Sequence, residues 1–182
     1  MKKVGDLLFI FTVFLFIGTF SISLIMLNFY YPLEYKNLII KHAEFYGLSP
    51  AMVASIINVE SGFRPDAVSP QGAIGLMQIM PGTALDIKNR LRDVTFEVSD
   101  LFDPETNINY GCYYLKYLNE IYENNTTNVL ASYNAGLTNV NIWLQNISYS
   151  SDGETINRTP FNETNNFIKR VNRNYRIYNR HF

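Results

Sequence analysis

Apolar residues beyond position 33 recur at the spacing of an α-helix, and this pattern limits what the chain can fold into. Val53, Ile56 and Ile57 share one helical face when the sequence is plotted at about 100° per residue. Ser49 suits the start of that helix, and Gly62 suits its end. Alternation with a period of two, which is typical of half-buried strands, is scarce. The sequence therefore predicts an all-α domain.

The predicted domain occupies residues 34–182, and its length is sufficient for independent folding. The predicted helical segments cover residues 34–46, 49–61, 81–92, 103–123, 127–136, 140–147 and 164–178. The prolines and glycines of residues 63–75 predict a loop, and so does the polar run of residues 148–160. No internal repeat and no second domain are indicated.

An uncharged stretch of 21 residues, Leu7 to Leu27, precedes the domain. A helix needs ~20 such residues to span a bilayer, so this stretch predicts a transmembrane signal-anchor. No small-residue cleavage site follows it, although a cleaved signal peptide is the alternative. Lys2 and Lys3 precede the stretch, and the positive-inside rule therefore places residues 1–6 in the cytoplasm.

Residues 28–33 are expected to form a linker between the anchor and the domain. Its aromatic side chains Phe29, Tyr30 and Tyr31 suit the interface between membrane and water. The domain at 34–182 is then expected on the extracytoplasmic side of the cell membrane. The membrane is thus an expected partner of the chain through its N-terminal helix.

Charge and cysteine content exclude several functional classes. A formal net charge of −1 gives no overall basic signal for nucleic acid. The single cysteine, Cys112, excludes an internal disulfide, and neither His42 nor His181 lies in a zinc motif. No metal and no cofactor are therefore expected. Five bases stand against one acid from Glu163 onward, which is typical of a solvated helix face; attraction to an anionic wall or lipid surface is the alternative.

Glu60 is the candidate catalytic residue because it continues the apolar face of the helix that Gly62 ends. Burial disfavours the charged form of a carboxyl group, and the partly negative C-terminal end of a helix does the same, so both raise its pKa. An acid that stays protonated near neutral pH can donate a proton to a leaving group. The alternative is a Glu60 that reaches solvent or pairs with Arg64, which would lower its pKa.

Amide and aromatic side chains in two later segments are suited to binding sugars. Gln78 follows Gly72 and Gly75 and offers two donors and one acceptor to hydroxyl or acetamido groups. Tyr133 and Asn134 come near the end of a predicted helix, where a cleft can form. The ordinary alternatives are a core segment for the first and a plain helix end for the second.

In their order and spacing, these segments resemble the catalytic domain of bacterial lytic transglycosylases of the soluble type (SLT). The matching sequences are Glu-Ser-Gly-Phe at 60–63, Gly-Ala-Ile-Gly-Leu-Met-Gln-Ile-Met-Pro-Gly-Thr-Ala at 72–84, Ala-Ser-Tyr-Asn-Ala-Gly at 131–136 and Pro-Phe-Asn-Glu-Thr at 160–164. The residues from Asp103 to Leu115 also resemble the long helix of that family. The resemblance runs from about Tyr35 to Tyr178 and implies a goose-type lysozyme-like helical domain with a substrate cleft.

The resemblance implies an enzyme that faces the cell wall and cleaves the β-1,4 bond between N-acetylmuramic acid and N-acetylglucosamine in peptidoglycan. Glu60 would act first as general acid on the glycosidic oxygen and then as general base on the muramic 6-hydroxyl, giving a 1,6-anhydro end. The substrate's acetamido group would assist, so one carboxyl group is sufficient. The residues that the resemblance assigns to substrate binding are Ser61, Met77, Gln78, Tyr133, Asn134 and Phe167. Peptidoglycan strands are the implied partner, and no particular envelope protein is indicated.

One position departs from the family pattern, since members usually have tyrosine where this chain has Phe167. Tyr175 or Tyr178 is a candidate to supply the missing hydroxyl group. Two alternative functions stay open at this point. One is a hydrolytic muramidase, and the other is a wall-binding or assembly component without turnover. The residues that could give the muramidase its second carboxylate are Asp66, Glu97, Asp100 and Asp103.

Overall fold

The structure is a computed structural model that describes residues 11–19 and 30–182. Its contacts divide the chain into two units, Met1–Leu33 and Glu34–Phe182. In the first unit, residues 11–19 are helical. Among the described residues, none of the helices has both the length and the apolar character needed to cross a membrane.

Several predictions for the N-terminus lie outside the described residues. The cytoplasmic segment 1–6 does so entirely. The predicted anchor at 7–27 is described only over 11–19, and the linker at 28–33 only from Tyr30 onward. The anchor and the linker therefore stay predictions.

The second unit is built from helices, as the sequence predicts. They are α1 (Lys36–Phe45), α2 (Pro50–Glu60), α3 (Pro81–Leu91), a 3-10 helix (Val98–Phe102), α4 (Pro104–Ile121), α5 (Thr126–Ala135), α6 (Leu137–Leu144) and α7 (Asn162–Tyr178). Within the described residues the β-structure is limited to isolated bridges from Ile74 to Val68 and to Ile79. The 3-10 helix was not predicted, and α7 begins two residues before its predicted start.

Only some of the helix ends show the capping interactions that their sequences suggest. The Asp103 carboxylate accepts a hydrogen bond from the Thr106 N–H at 2.8 Å and caps α4. Gly47, with φ of 68°, follows α1 in the left-handed conformation that suits glycine. Ser49 occupies the N-cap position of α2, but its side chain makes no capping hydrogen bond. Pro50 at the first position of α2, which has no N–H to satisfy, is therefore the stronger start signal.

The core forms where α2 packs against α7. Val53, Ile56 and Ile57 of α2 are fully buried, as their shared face predicts. Val171 and Tyr178 of α7 are also buried. Helix α1 contacts α2 and α5 contacts α7, while α4 contacts α1, α3 and α5. Together these contacts fix the C-terminal end of α2, where Glu60 lies, against the body of the domain.

Asn107 of α4 holds the loop between α2 and α3 in place. Its side-chain oxygen accepts the Met77 N–H at 2.8 Å, and its amide donates to the carbonyls of Ile74 at 2.9 Å and Leu101 at 2.7 Å. Gly75 lies so close that an added Cβ would come within 2.2 Å of the Asn107 amide nitrogen. The loop therefore depends on a small residue at 75 and a buried amide at 107.

Replacement of Gly75 by alanine is expected to destabilise the fold by several kcal/mol. The added Cβ would lie 2.3 Å from the Leu101 carbonyl oxygen, a backbone atom that cannot move aside, and the φ of +78° disfavours any side chain. Gly72→Ala is the matched control, since Gly72 has a φ of +85° but open space around the added Cβ. Strain of this kind costs ~1–2 kcal/mol, and overpacking adds ~1–3 kcal/mol. Urea unfolding should thus give Gly75→Ala a clearly lower free energy of unfolding than Gly72→Ala. Equal losses of stability in the two variants would contradict the close packing around Gly75.

Candidate functional site

A cleft of about 360 Å³ opens beside Glu60. It lies where the end of α2, the loop before α3, the end of α5 and the start of α7 meet. The residues that line it are Glu60, Ser69, Gln71, Ala73, Gln78, Met80, Tyr133, Asn134, Ala135, Phe161, Glu163 and Thr164. A neighbouring cavity of about 230 Å³ shares Gln78, Tyr133 and Asn134 with it and continues past Tyr114. Because they share these residues, the two cavities are adjacent and together form one groove.

Glu60 is the last residue of α2, and its carboxyl group faces this cleft. Burial, and then the nearby Glu163 carboxylate, raise its pKa from 4.5 to about 8, although Arg170 acts in the opposite direction. Among the described residues, no lysine or arginine forms an ion pair with it. The predicted alternative partner, Arg64, is exposed and donates from Nε to the Ser61 carbonyl at 3.0 Å. Glu60 is therefore largely protonated near neutral pH.

Glu163 is the second carboxyl group of the cleft, and the sequence reasoning did not assign it to the site. It lies in the first turn of α7, where a negative charge is favoured by the helix dipole. The signal was present in the Pro-Phe-Asn-Glu-Thr segment at 160–164, which the family resemblance already included.

The four acids suggested as a second carboxylate lie elsewhere. Asp66 is exposed, and Asp103 caps α4. Glu97 and Asp100 form a capping box at the start of the 3-10 helix. None of the four lines the cleft, so a second acid for the chemistry would have to be Glu163.

Gln78 lies in the cleft with a left-handed backbone conformation, φ being 49°. Its side-chain nitrogen donates to the carbonyl oxygens of Gly75 at 2.9 Å and Ala67 at 3.1 Å. Both donors are thus used to hold the loop, and the amide oxygen remains as the group that can accept from a ligand. Gln78 is therefore expected to bind a donor such as a hydroxyl or an acetamido N–H.

Tyr133 and Asn134 form the opposite wall of the groove at the end of α5. The Tyr133 hydroxyl donates to the Met77 carbonyl oxygen at 2.7 Å. Burial, and then the nearby Glu60, hold the pKa of Tyr133 well above its ordinary value, so the hydroxyl remains a neutral donor. Asn134 has no hydrogen bond to its side chain from any described residue, which leaves its amide available to a ligand.

Ser61 and Met77 lie behind the cleft rather than in its wall. Ser61 is 3% exposed, and its hydroxyl donates to the Leu76 carbonyl oxygen at 2.8 Å. Met77 is fully buried against Gly111, where an added Cβ would come within 2.2 Å of the Met77 sulfur. The structure thus gives both residues contacts that position the loop bearing Gln78.

Phe167 is also buried, and it packs behind Tyr133 rather than in the wall of the groove. Its ring stacks parallel to that of Tyr133, with ring centroids 6.3 Å apart and 3° between the planes. Neither tyrosine proposed to replace a hydroxyl at this position lines the cleft. Tyr178 packs against Phe63 with ring centroids 6.2 Å apart, and Tyr175 lines a separate groove.

That separate groove, of about 450 Å³, is larger than the cleft, but the acidic residue that lines it is paired with a lysine. Its charged side chains, Lys116 and Glu120, pair with each other at 2.7 Å. Burial without a cation partner distinguishes Glu60, so the smaller cleft is the candidate site. In the described part of the chain, no group of three or more His, Cys, Asp or Glu side chains is arranged to hold a metal ion.

Comparison with known proteins identifies similar domains. The family model for the transglycosylase SLT domain matches residues 37–156. The soluble lytic murein transglycosylase of Salmonella typhimurium is 37% identical over 154 residues, which are 84% of this chain and 24% of that protein. The membrane-bound lytic murein transglycosylase C of Actinobacillus pleuropneumoniae is 38% identical over 112 residues, covering 57% of this chain and 31% of that protein.

A solved structure agrees with the fold. The lytic transglycosylase Slt of Pseudomonas aeruginosa, an inactive glutamate-to-glutamine mutant, superposes with a TM-score of 0.75 at 30% identity. The match covers 85% of this chain and 25% of that one. This chain therefore spans about a quarter of the length of the Salmonella typhimurium relative and of the Pseudomonas aeruginosa structure.

The raised pKa of Glu60 predicts that folding stability falls as the pH rises. In the unfolded chain the carboxyl group ionises near 4.5, whereas in the folded domain it keeps its proton up to about 8. Between these values the folded state binds the extra proton, so the free energy of unfolding falls by up to about 1.4 kcal/mol per pH unit. Urea unfolding should therefore show that the free energy of unfolding of Glu60→Gln rises relative to that of the parent as the pH is raised from 5 to 8.

Glu123→Gln removes an exposed carboxyl group that does not line the cleft, and it serves as the matched control. It should keep the pH dependence of the parent protein. Identical pH dependence of the parent and Glu60→Gln would show that the carboxyl group of Glu60 titrates as in water.

Proposed function

The chain belongs to the transglycosylase SLT domain family, and on that premise we propose that it is a lytic transglycosylase of peptidoglycan. The bond broken is the β-1,4 link between N-acetylmuramic acid and N-acetylglucosamine, and the product carries a 1,6-anhydromuramic end. The observation that carries the proposal is the buried, unpaired carboxyl group of Glu60 in a groove with Gln78, Tyr133 and Asn134. The inactive glutamate-to-glutamine mutant of the Pseudomonas aeruginosa relative is consistent with it.

Glu60 supplies the proton for the first half of the reaction. With a pKa of about 8, it is protonated at neutral pH and can donate to the glycosidic oxygen as the bond to the anomeric carbon breaks. Because partial burial in the groove disfavours the charged carboxylate, the neutral acid is the form that the site favours. The N-acetylglucosamine product then leaves with a new hydroxyl group.

The same carboxyl group completes the reaction as a base. The carboxylate formed in the first step takes the proton of the muramic 6-hydroxyl, whose oxygen attacks the anomeric carbon and closes the anhydro ring. Glu60 ends protonated, as it began, and no water is consumed. The nearby Glu163 carboxylate favours return of the proton to Glu60, because two adjacent negative charges repel each other.

A hydrolytic muramidase is the second candidate, and the presence of Glu163 in the cleft favours it. Hydrolysis of glycosides ordinarily needs two carboxyl groups, one of which activates water or attacks the sugar. The products distinguish the two reactions, since hydrolysis gives reducing ends and transglycosylation gives anhydro ends.

We also propose that residues 7–27 anchor the protein in the cell membrane, with 1–6 in the cytoplasm. Residues 28–33 would then link the anchor to a catalytic domain at 34–182 that faces the cell wall. The support is the 21-residue uncharged stretch, the lysines before it, and the relative named as membrane-bound.

Glu60→Gln should abolish cleavage, because glutamine keeps the size of the side chain but cannot donate or accept the catalytic proton. Loss of a general acid lowers rates by ~10²–10⁴-fold. Muropeptides released from purified peptidoglycan by the parent should carry anhydro ends by mass spectrometry, and cleavage should fall above about pH 8.

Glu163→Gln separates the two mechanisms. A transglycosylase should keep forming anhydro products in this variant, with the upper pH limit of cleavage moved lower, because a like charge beside Glu60 is removed. A muramidase that uses Glu163 should lose activity. Reducing ends in place of anhydro ends from the parent would refute transglycosylation, and unchanged cleavage by Glu60→Gln would refute both.

Deletion of residues 7–27 should release the protein from membranes. The full chain, expressed in bacteria, is expected to resist extraction by alkaline carbonate, whereas the deletion variant should be recovered in the soluble fraction, because it lacks both the anchor and the export signal. Replacing the same stretch by an unrelated transmembrane segment is the control and should restore resistance. Extraction of the full chain by carbonate would show that the stretch does not span the bilayer.

A further inference from the structure

The solvent face of α7 carries a row of cations. Lys169, Arg173, Arg176 and Arg180 are all exposed. At about 100° per residue Lys169, Arg173 and Arg176 lie within about 60° of one another around the helix axis, so they form one stripe. Arg180 follows in the turn just after the end of α7. In the described part of the chain, none of the four takes part in an ion pair. Four free charges of one sign, three on one face of α7 and one just beyond it, form a strongly positive surface.

The C-terminal end of this stripe lies against the start of the domain. Lys36 Nζ donates to the His181 carbonyl oxygen at 2.7 Å and lies 5.2 Å from the centroid of the Phe182 ring. Lys36 follows Tyr31 by five positions, and five residues span at most ~18 Å. If Tyr31 lies at the membrane interface, the chain itself keeps Lys36 and the neighbouring end of α7 close to the lipid headgroups.

We propose that Lys36, Arg173, Arg176 and Arg180 form a docking surface for anionic lipid headgroups on the outer face of the membrane. The inference rests on the proposed membrane anchor. We refer to these four residues as the basic surface. Each basic residue close to an anionic membrane strengthens association by roughly fivefold, so the four together hold the domain against the bilayer in a defined orientation.

Docking at this end would direct the groove away from the membrane. Glu163 and Thr164 line the cleft at the N-terminal end of α7, whereas the basic surface occupies the other end. The 17 residues of α7 make it ~25 Å long, so the cleft and the basic surface are separated by most of that length. Arg170 is not part of the surface, because its charge acts on Glu60.

Photo-crosslinking of the full chain in vesicles tests the proposal. The protein is reconstituted into phosphatidylcholine vesicles with or without phosphatidylglycerol, each with a trace of lipid that carries a photoactivatable headgroup. Crosslinks to residues 169–182, quantified by mass spectrometry, should be about fivefold or more abundant in the anionic vesicles. They should disappear at high salt, where the charges are screened.

Arg176→Gln/Arg180→Gln should lower this crosslinking about fivefold or more in anionic vesicles. Arg90→Gln/Arg92→Gln removes two other exposed cations and should change nothing. Yields that are independent of lipid charge, or equal in both double variants, would overturn the proposal. If Arg176→Gln/Arg180→Gln instead weakens cosedimentation with isolated peptidoglycan and leaves lipid crosslinking intact, the surface binds an anionic wall polymer and the lipid proposal is wrong.

Failure of the anchor and failure of the basic surface give different results. A chain that alkaline carbonate strips from the vesicles has no transmembrane anchor, and it is then tested by flotation with the same vesicles. Salt-sensitive flotation with anionic vesicles, lost in Arg176→Gln/Arg180→Gln, would support the basic surface without the anchor. Absence of flotation would overturn it.

Discussion

The packing of α2 against α7 governs the protonation of Glu60, because it shields most of this carboxyl group from water without giving it a cation partner. Val53, Ile56 and Ile57 are fully buried in that interface, and Glu60 continues the same face by one more turn. A buried carboxylate without a paired cation is costly, so the group keeps its proton to about pH 8. The raised pKa of Glu60 is therefore a property of the fold itself.

The groups around the acid are held by backbone carbonyls rather than by one another. Ser61 donates to the Leu76 carbonyl, Gln78 to that of Gly75, and Tyr133 to that of Met77. All three bonds end on the loop that Asn107 fixes from α4. A loop with so many buried hydrogen bonds has little freedom, and this rigidity keeps the groove open in the absence of ligand.

The helices could be predicted from sequence because their signals are local, as Pro50, Pro81 and Asp103 show at three helix starts. The site could be predicted only in part. Burial of Ser61 and Met77, and the presence of Glu163 in the cleft, depend on how distant segments meet. Met77 of the loop, for example, is buried against Gly111 of α4. A motif identifies which residues belong to a site, but only packing decides which of them reach the cleft.

Phe167, the one noted departure from the family pattern, is accommodated in the packing of the domain. It is 4% exposed and stacks on Tyr133, whose hydroxyl is already bonded to the Met77 carbonyl. A phenylalanine there removes a polar group from the apolar side of the site without leaving Tyr133 unpaired. Burial is the largest cause of the raised pKa of Glu60, and an apolar ring at 167 preserves that burial. The raised pKa of Glu60 therefore does not depend on a tyrosine hydroxyl at this position.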